Sequence, residues 1–365
     1  MKNLLLIAFA LLVMASCQPR KVSNGSPGDF KIFKGTNVAH WLSQSKNRGA
    51  ERDSFFQEKD VIAIREMGFD HLRLPIDEEQ MWDENGVRHD DAFLLMANCI
   101  DWCLKHELKV IVDLHILRSH HFNADIKPLW TDPQEQEKFY RLWVDLSSVL
   151  QKYPVSDVAY ELMNEAVADD PELWNNLVAN AVKAIRVLEP ERIIVIGSNK
   201  WQSASTFDVL KVPDDKNIIL SYHFYEPFLL THYQAGWTGL KNYAGPVQYP
   251  GEILSQAEFD TLTTEQQAIV KDWIGKEWNM EKLEEMMQLP IQKSKELGLP
   301  LYCGEYGILD TAPEADRIRW YNDMISIFNK NGIASANWNY KSNGFGLING
   351  DGTKNESLIQ EVTRR

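Results

Sequence analysis

The sequence predicts an α/β chain folded as one domain, a closed TIM-type (β/α)8 barrel, and three observations carry that expectation. Short β-rich runs alternate with amphipathic helical stretches eight times over roughly 330 residues, as parallel strands joined by crossover helices require. No glycine-rich phosphate loop follows the first strand, where FKGTNVAHW leads into a polar, aromatic loop, so the rival doubly wound open sheet loses its main signature. Roughly 350 residues remain after an N-terminal leader, long for one ordinary core and normal for such a barrel.

The elements follow in order. A strand at 32–37 is succeeded by helical period at 54–67, where FFQEKDVIAIREM stops at Gly68. A strand at 71–76 ends in HLRLP, and a helix is expected at 91–106. The strand at 109–115 ends in VDLH and precedes a helix at 134–152. The strand at 158–164 contains ELMNE and precedes a helix at 174–188. Strands at 192–198 and 218–225 follow, the latter ending in SYHFY. The last two, at 301–306 and 333–339, end in CGEYG and ANWNY and flank a helix at 314–330. The exception to tight spacing is 226–280, with Trp237, Trp273 and Trp278. An insertion of that length either builds the rim above a barrel's active site or packs outside as helical decoration.

The ends differ from the body. Residues 1–16 carry Lys2, an apolar run from Leu4 to Val13 and then small residues, which reads as a secretory signal too short to span a bilayer. Cys17 comes next, and the arrangement resembles a bacterial lipoprotein signal whose cysteine becomes the lipidated first residue; ordinary cleavage is the alternative. Residues 17–30, rich in Pro, Gly, Ser and Asn, read as a flexible tether, leaving 31–365 as the barrel with ordered structure from about Ile32. The mature chain is thus expected outside the cytoplasm, on a membrane only through acyl chains, or secreted if unlipidated. Cys99, Cys103 and Cys303 read as buried thiols.

With 52 acidic against 38 basic side chains the formal charge is -14. No Lys/Arg cluster offers counterion release, so nucleic acid is a poor partner and neutral ligands fit better. Twelve Trp and twelve Tyr supply the flat faces that neutral sugars stack on.

In a parallel barrel the reacting groups sit where strands end. Those ends carry Arg73, His115, Asn164, Glu165, His223, Tyr225, Glu305 and Trp338, which places two carboxylates in one mouth. Two facing carboxyls are what cleavage of a glycosidic bond requires, one protonated for the leaving oxygen and one ionised for the oxocarbenium-like centre. Arg73 and Tyr225 are positioned to keep Glu305 ionised.

Together LRLP, DLH, MNE, H-x-Y, GEY and the eighth-strand Trp resemble the family 5 glycoside hydrolases, the cellulase family, from Phe33 to about Tyr340. The resemblance implies a retaining hydrolase of β-linked glucans working by a two-glutamate double displacement, with no cofactor and no metal. It implies Glu165 as acid/base, Glu305 as nucleophile, Asn164 on the sugar hydroxyl beside the reacting carbon, and Arg73 and Tyr225 as supports of Glu305. It further implies His115 and His223 as site-shaping imidazoles, Trp338 as the platform under the reacting sugar, Trp201 as an aromatic beside the cleft, and His40 and Trp41 as extensions of the site. Trp237 is the best stacking candidate within 226–280. The retaining mechanism sets the carboxyls ~5 to 5.5 Å apart. After strand three, ILRSHHFN departs from the family's usual Gly/Pro-rich turn.

Other readings stand beside this one. Asp113, His115, His120 and His121 suit a metal-dependent hydrolase, although no H-x-H occurs on the first strand. A catalytically inactive glycan-binding lipoprotein keeps the fold without the reaction, and a β-mannan is the alternative substrate. The protein is expected to act as a monomer.

Overall fold

The computed structural model describes residues 25–364, so the leader, Cys17 and most of the expected tether lie outside the described residues. Ten strands occur among the described residues: β1 (Lys34–Asn37), β2 (His71–Asp77), β3 (Lys109–Ile116), β4 (Val158–Glu161), β5 (Ile194–Gly197), β6 (Ile218–Phe224), β7 (Gly251–Glu252), β8 (Glu277–Trp278), β9 (Leu301–Tyr306) and β10 (Ala334–Asn337). Eight of them close a parallel barrel in the order β1-β2-β3-β4-β5-β6-β9-β10, while β7 and β8 form a separate antiparallel pair. All eight expected strands are the barrel strands, most shorter than expected at their ends.

Side chains alternate across each strand, and here the alternation sorts two kinds of interior. Outward residues such as Leu72, Leu74, Val110, Val112, Ile194, Ile196 and Leu220 belong to the large core under the helices. Inward residues Ile111, Ala159, Val195, Ile219, Tyr302 and Ala336 form a small apolar layer at the barrel's N-terminal end, sealed from below by Phe30 and Ile32. Phe30 therefore belongs to the fold; order begins before Ile32, with a single helical turn at Pro27–Asp29. One step toward the C-terminal end, the inward positions become Asn37, Arg73, Asp113, Glu161 and Ser221, all fully buried. The upper half of the barrel interior is polar, a stability cost that only a site accounts for.

The helices agree with their periodicity except in two respects. Asp132 and Asp170 cap helices that begin at Pro133 and Pro171, each side chain accepting from the backbone N–H two residues on; for the second helix this start lies three residues before the expected one. The stretch expected as one helix at 54–67 is two, Ala50–Phe55 and Glu58–Glu66, because Phe56 is extended and drives its ring fully into the core between Trp41 and Tyr340. The helix Glu314–Asn331 ends at Gly332, whose φ of 66° suits the left-handed cap.

Segment 226–280 is divided. Its start, from Glu226 to Thr238, borders the mouth of the barrel. The remainder packs outside: the Tyr249 hydroxyl donates to Asp323, the Arg319 guanidinium donates to the Tyr249 carbonyl, and Trp278 is buried. Cys99, Cys103 and Cys303 are free and buried. Among the described residues no helix is long and apolar enough to cross a membrane.

Candidate active site

A cleft of about 850 Å³ opens over the C-terminal ends of the strands, with Glu165 and Glu305 in its floor. Glu305 leaves the end of β9, where a register shift against β6 sets it beside His223. Glu165 lies four residues beyond β4. That strand stops at Glu161, short of the expected 164, and the chain turns so that Glu165 takes a φ of 46°, left-handed for a residue that is not glycine. One oxygen of each carboxyl and a ring nitrogen of His223 lie within 4.8 Å of one another. His223 Nδ1 is 3.0 Å from Glu165 Oε1 and 3.6 Å from Glu305 Oε2. Gly304 makes room for this imidazole, since a Cβ there would stand 3.2 Å from its Nε2.

Arg73 is fully buried beneath the two glutamates. Its Nη1 donates to Glu305 Oε1 at 2.7 Å and to Asn37 Oδ1 at 3.0 Å, and its Nε to Glu161 Oε2 at 2.6 Å. Its Nη2 reaches Asn164 Oδ1 at 2.9 Å and Asp113 Oδ2 at 3.0 Å. The Tyr225 hydroxyl donates to the other oxygen of Glu305, at 3.0 Å. Because Arg73 claims the oxygen of the Asn164 amide, its nitrogen is turned the other way, buried and without a partner in the protein.

The two carboxyls are held differently. Burial, and then the Glu305 charge, push the Glu165 carboxyl well above the ordinary range. Burial also raises Glu305, but the Arg73 charge and the Tyr225 hydrogen bond oppose it, so Glu305 is the more acidic of the two. His223 is driven well below its usual value by burial and by Arg73, and is neutral. His115 falls to about 3, chiefly through burial. A neutral His115 donates from Nδ1 to Asp113 Oδ2 at 2.7 Å, which leaves Nε2 a bare acceptor. Its ring stacks parallel to Trp338 at 5.7 Å.

The walls are aromatic. Trp201 and Trp237, 45% and 53% exposed, stand on the rim, with Phe122, Phe228, His232 and Phe345 lining the cleft. The unusual turn after β3 supplies Phe122 and Asn123. It is anchored by Arg118 on the buried Glu78, and by His120 Nε2 accepting the Val167 N–H at 3.1 Å. His120 is thus a buried internal tie rather than a rim residue.

The structure corrects two expectations and takes apart the residue set of one rival reading. Trp41 does not extend the site: it is 1% exposed, donates to the Arg52 carbonyl and packs on Phe56 in the outer core. His40 reaches the site only through Trp338, edge-on at 6.2 Å. Asp113, His115, His120 and His121 do not gather as a metal set. Asp113 is taken by Arg73 and His115, His120 by the Val167 backbone, and His121 Nδ1 by the Asn123 N–H. Sequence reasoning did not give Asn37, Glu161 or Gln202 a place here. Period two, read backward from each strand end, reaches Asn37 and Glu161; Gln202 lies in a loop with no periodic signal.

A family model described as Cellulase (glycosyl hydrolase family 5) matches residues 32–344. Endoglucanase C of Acetivibrio thermocellus is 33% identical over 341 residues, covering 91% of this chain and 98% of that one. Cellodextrinase A of Ruminococcus flavefaciens is 30% identical over 307 residues, covering 83% and 84%. Among solved structures, endoglucanase Cel5A from Thermotoga maritima superposes with a TM-score of 0.73 at 26% identity, covering 93% of this chain and 100% of that one. A hyperthermophilic endo-beta-1,4-glucanase in complex with substrate gives 0.75 at 25%, covering 93% and 99%. The match runs from just before the first barrel strand to beyond the last, over the same polar half-barrel, and the chain belongs to the cellulase family, glycosyl hydrolase family 5, and is a glycoside hydrolase.

Proposed function

We propose that this hydrolase cleaves β-1,4-linked glucans or their oligosaccharides with retention of anomeric configuration, Glu305 acting as nucleophile and Glu165 as general acid/base. The observation that carries the reading is the closeness of the two carboxyls, with oxygens within 4.8 Å, because an inverting enzyme needs roughly 6.5–9.5 Å to seat a water between them. The polysaccharide class is taken from the relatives named endoglucanase and cellodextrinase.

In the first step Glu305 attacks the anomeric carbon while Glu165 gives its proton to the departing oxygen. The C–O bond to the leaving sugar breaks as the bond to Glu305 forms. Water then enters on the same face, Glu165 takes its proton, and the glycosyl-enzyme bond breaks with the sugar's original configuration restored. The unpaired Asn164 nitrogen faces the hydroxyl next to the reacting carbon, and Trp338 underlies the ring. Trp201 and Trp237 stack sugars further along, where binding energy orients the reacting unit. All of these groups come from one chain, which supports a monomer as the active unit. A proton NMR time course on a β-glucan oligosaccharide should show the β-anomer as first-formed product; an α-anomer appearing first would sink the reading.

We propose also that Cys17 is lipidated and holds the hydrolase to an extracytoplasmic membrane face, which rests on the apolar run and on the cysteine after the small residues. An acyl chain contributes ~0.8 kcal/mol per buried CH₂, so its loss frees a soluble domain. Cys17→Ala should move the protein from the membrane to the soluble extracytoplasmic fraction with unchanged kcat; unaltered fractionation would refute lipidation.

A further inference from the structure

The loop after β5 grips the loop that carries Glu165 in a way the hydrolytic scheme leaves unexplained. Lys200, Trp201 and Gln202 have φ values of 50°, 61° and 52°, three successive left-handed residues without a glycine. Such a run persists only where its surroundings over-determine it. Its effect is to turn Trp201 outward into the cleft and Gln202 inward, where it is completely buried. The Asn199 amide pairs with both backbone groups of Ala168, and the Trp201 N–H donates to the Ala166 carbonyl. On β5, Gly197 is required for this seat, since a Cβ there would lie 2.4 Å from the Gln202 Cγ.

The Gln202 amide uses both of its ends. Its Oε1 accepts the Glu165 N–H at 2.8 Å, the backbone of the residue held at positive φ. Its Nε2 donates to Glu161 Oε1 at 3.2 Å and to Ser221 Oγ at 3.1 Å. Glu161 is in turn fixed by Arg73, and Arg73 holds Glu305. One side chain thus stands between the backbone of one reacting glutamate and the cation that orients the other. Glutamine is suited to this because it accepts from the N–H and donates to the carboxylate in one plane. An apolar residue leaves both unpaired in a buried place, and an ionised glutamate faces Glu161 with a like charge.

We propose that Gln202 is a positioning residue for hydrolysis, locking the Glu165 backbone to the Glu161–Arg73–Glu305 chain so that the two carboxyls keep their separation. The proposal rests on the two-glutamate reading above. It is therefore measured as the ratio of variant to wild type on whichever glycoside the wild type hydrolyses best, so that a wrong sugar assignment changes the substrate and not the ratio. Gln202→Met should lower kcat by about 10²-fold with KM little changed, since misplacing a reacting group costs turnover more than binding.

Gln202→Glu supplies the readout that simple loss of structure does not. Its carboxyl would face Glu161, Ser221 and the Glu165 backbone, with Arg73 paired to Glu161 and Asp113 sharing that guanidinium. Burial and the Glu161 charge favour its neutral form as pH falls, and a neutral acid accepts from the Glu165 N–H while donating O–H to Glu161, as the amide does. The kcat of Gln202→Glu relative to wild type should rise from about pH 7 to about pH 5. Ser221→Ala, which removes only the other partner of Nε2, should stay near wild type. A Gln202→Met variant retaining more than about a third of wild-type kcat, or a Gln202→Glu ratio flat with pH, would overturn the proposal. If Gln202→Met does not fold, the pH ratio of Gln202→Glu decides alone.

Discussion

Glu305→Gln is expected to remove essentially all turnover while leaving the fold intact. The amide is isosteric, its one oxygen accepting from Arg73 and its NH₂ facing the Tyr225 hydroxyl, which can accept, but it has no anionic oxygen to form the glycosyl-enzyme bond. Glu165→Ala should behave differently. General acid assistance is worth about 10²–10⁴-fold, so the loss should be large on a sugar leaving group and much smaller on an activated aryl glycoside that departs unaided. Removing the side chain also opens space on the face from which water enters, so azide should accelerate the variant and yield a β-glycosyl azide. Steady-state rates with and without azide, on both substrates, check the pair. Rescue of the position-305 variant in place of the position-165 one would refute the assignment of roles.

The asymmetry behind that experiment was partly legible in the sequence. Period two along the sixth barrel strand places His223 and Tyr225 on one face, and strand ends, where Glu305 also stands, are where a barrel keeps reactive groups. The structure adds what periodicity does not encode. Glu165 lies beyond its strand on a left-handed residue, and β4 ends at Glu161, whose carboxylate accepts from Arg73. The break at Phe56 was hidden because an apolar residue in helical register reads as helix whether its ring enters the core from a helix or from an extended turn. Trp41 was misplaced for a similar reason: four residues after β1, the chain's turn decides whether the ring meets the cleft or the helices. His120 could be read as a metal ligand because nothing local reveals that its ring nitrogen accepts from a backbone N–H forty-seven residues away. Gln202 was invisible because its partners are Glu161, Glu165 and Ser221, brought together only by closure of the barrel.

Arg73→Met should cost about 3–5 kcal/mol of stability near neutral pH, because it removes the one cation among three buried carboxyls. The cost should also depend on pH in a definite direction. Burial raises the Asp113 carboxyl to about 7 even with Arg73 opposing it, and raises Glu161 and Glu305 as well. A carboxyl whose folded value exceeds its unfolded one keeps its proton in the native state after the unfolded chain has released it. Native stability is then lost as pH rises through the window between the two values. Without Arg73 each of the three folded values climbs further, the window widens upward, and the deficit of the variant grows from about pH 4 to about pH 7. Near pH 4 the native carboxyls are largely neutral and those of the unfolded chain about half so, and most of the deficit should vanish. The acid limb of kcat/KM should shift upward for the same reason, since Glu305 must lose its proton without the guanidinium that favours the anion. Urea unfolding of variant and wild type at both ends of that range, with a pH profile of residual activity, tests both signs. A deficit independent of pH would mean that Arg73 stabilises by packing its stem, and that other groups set the charge of Glu305.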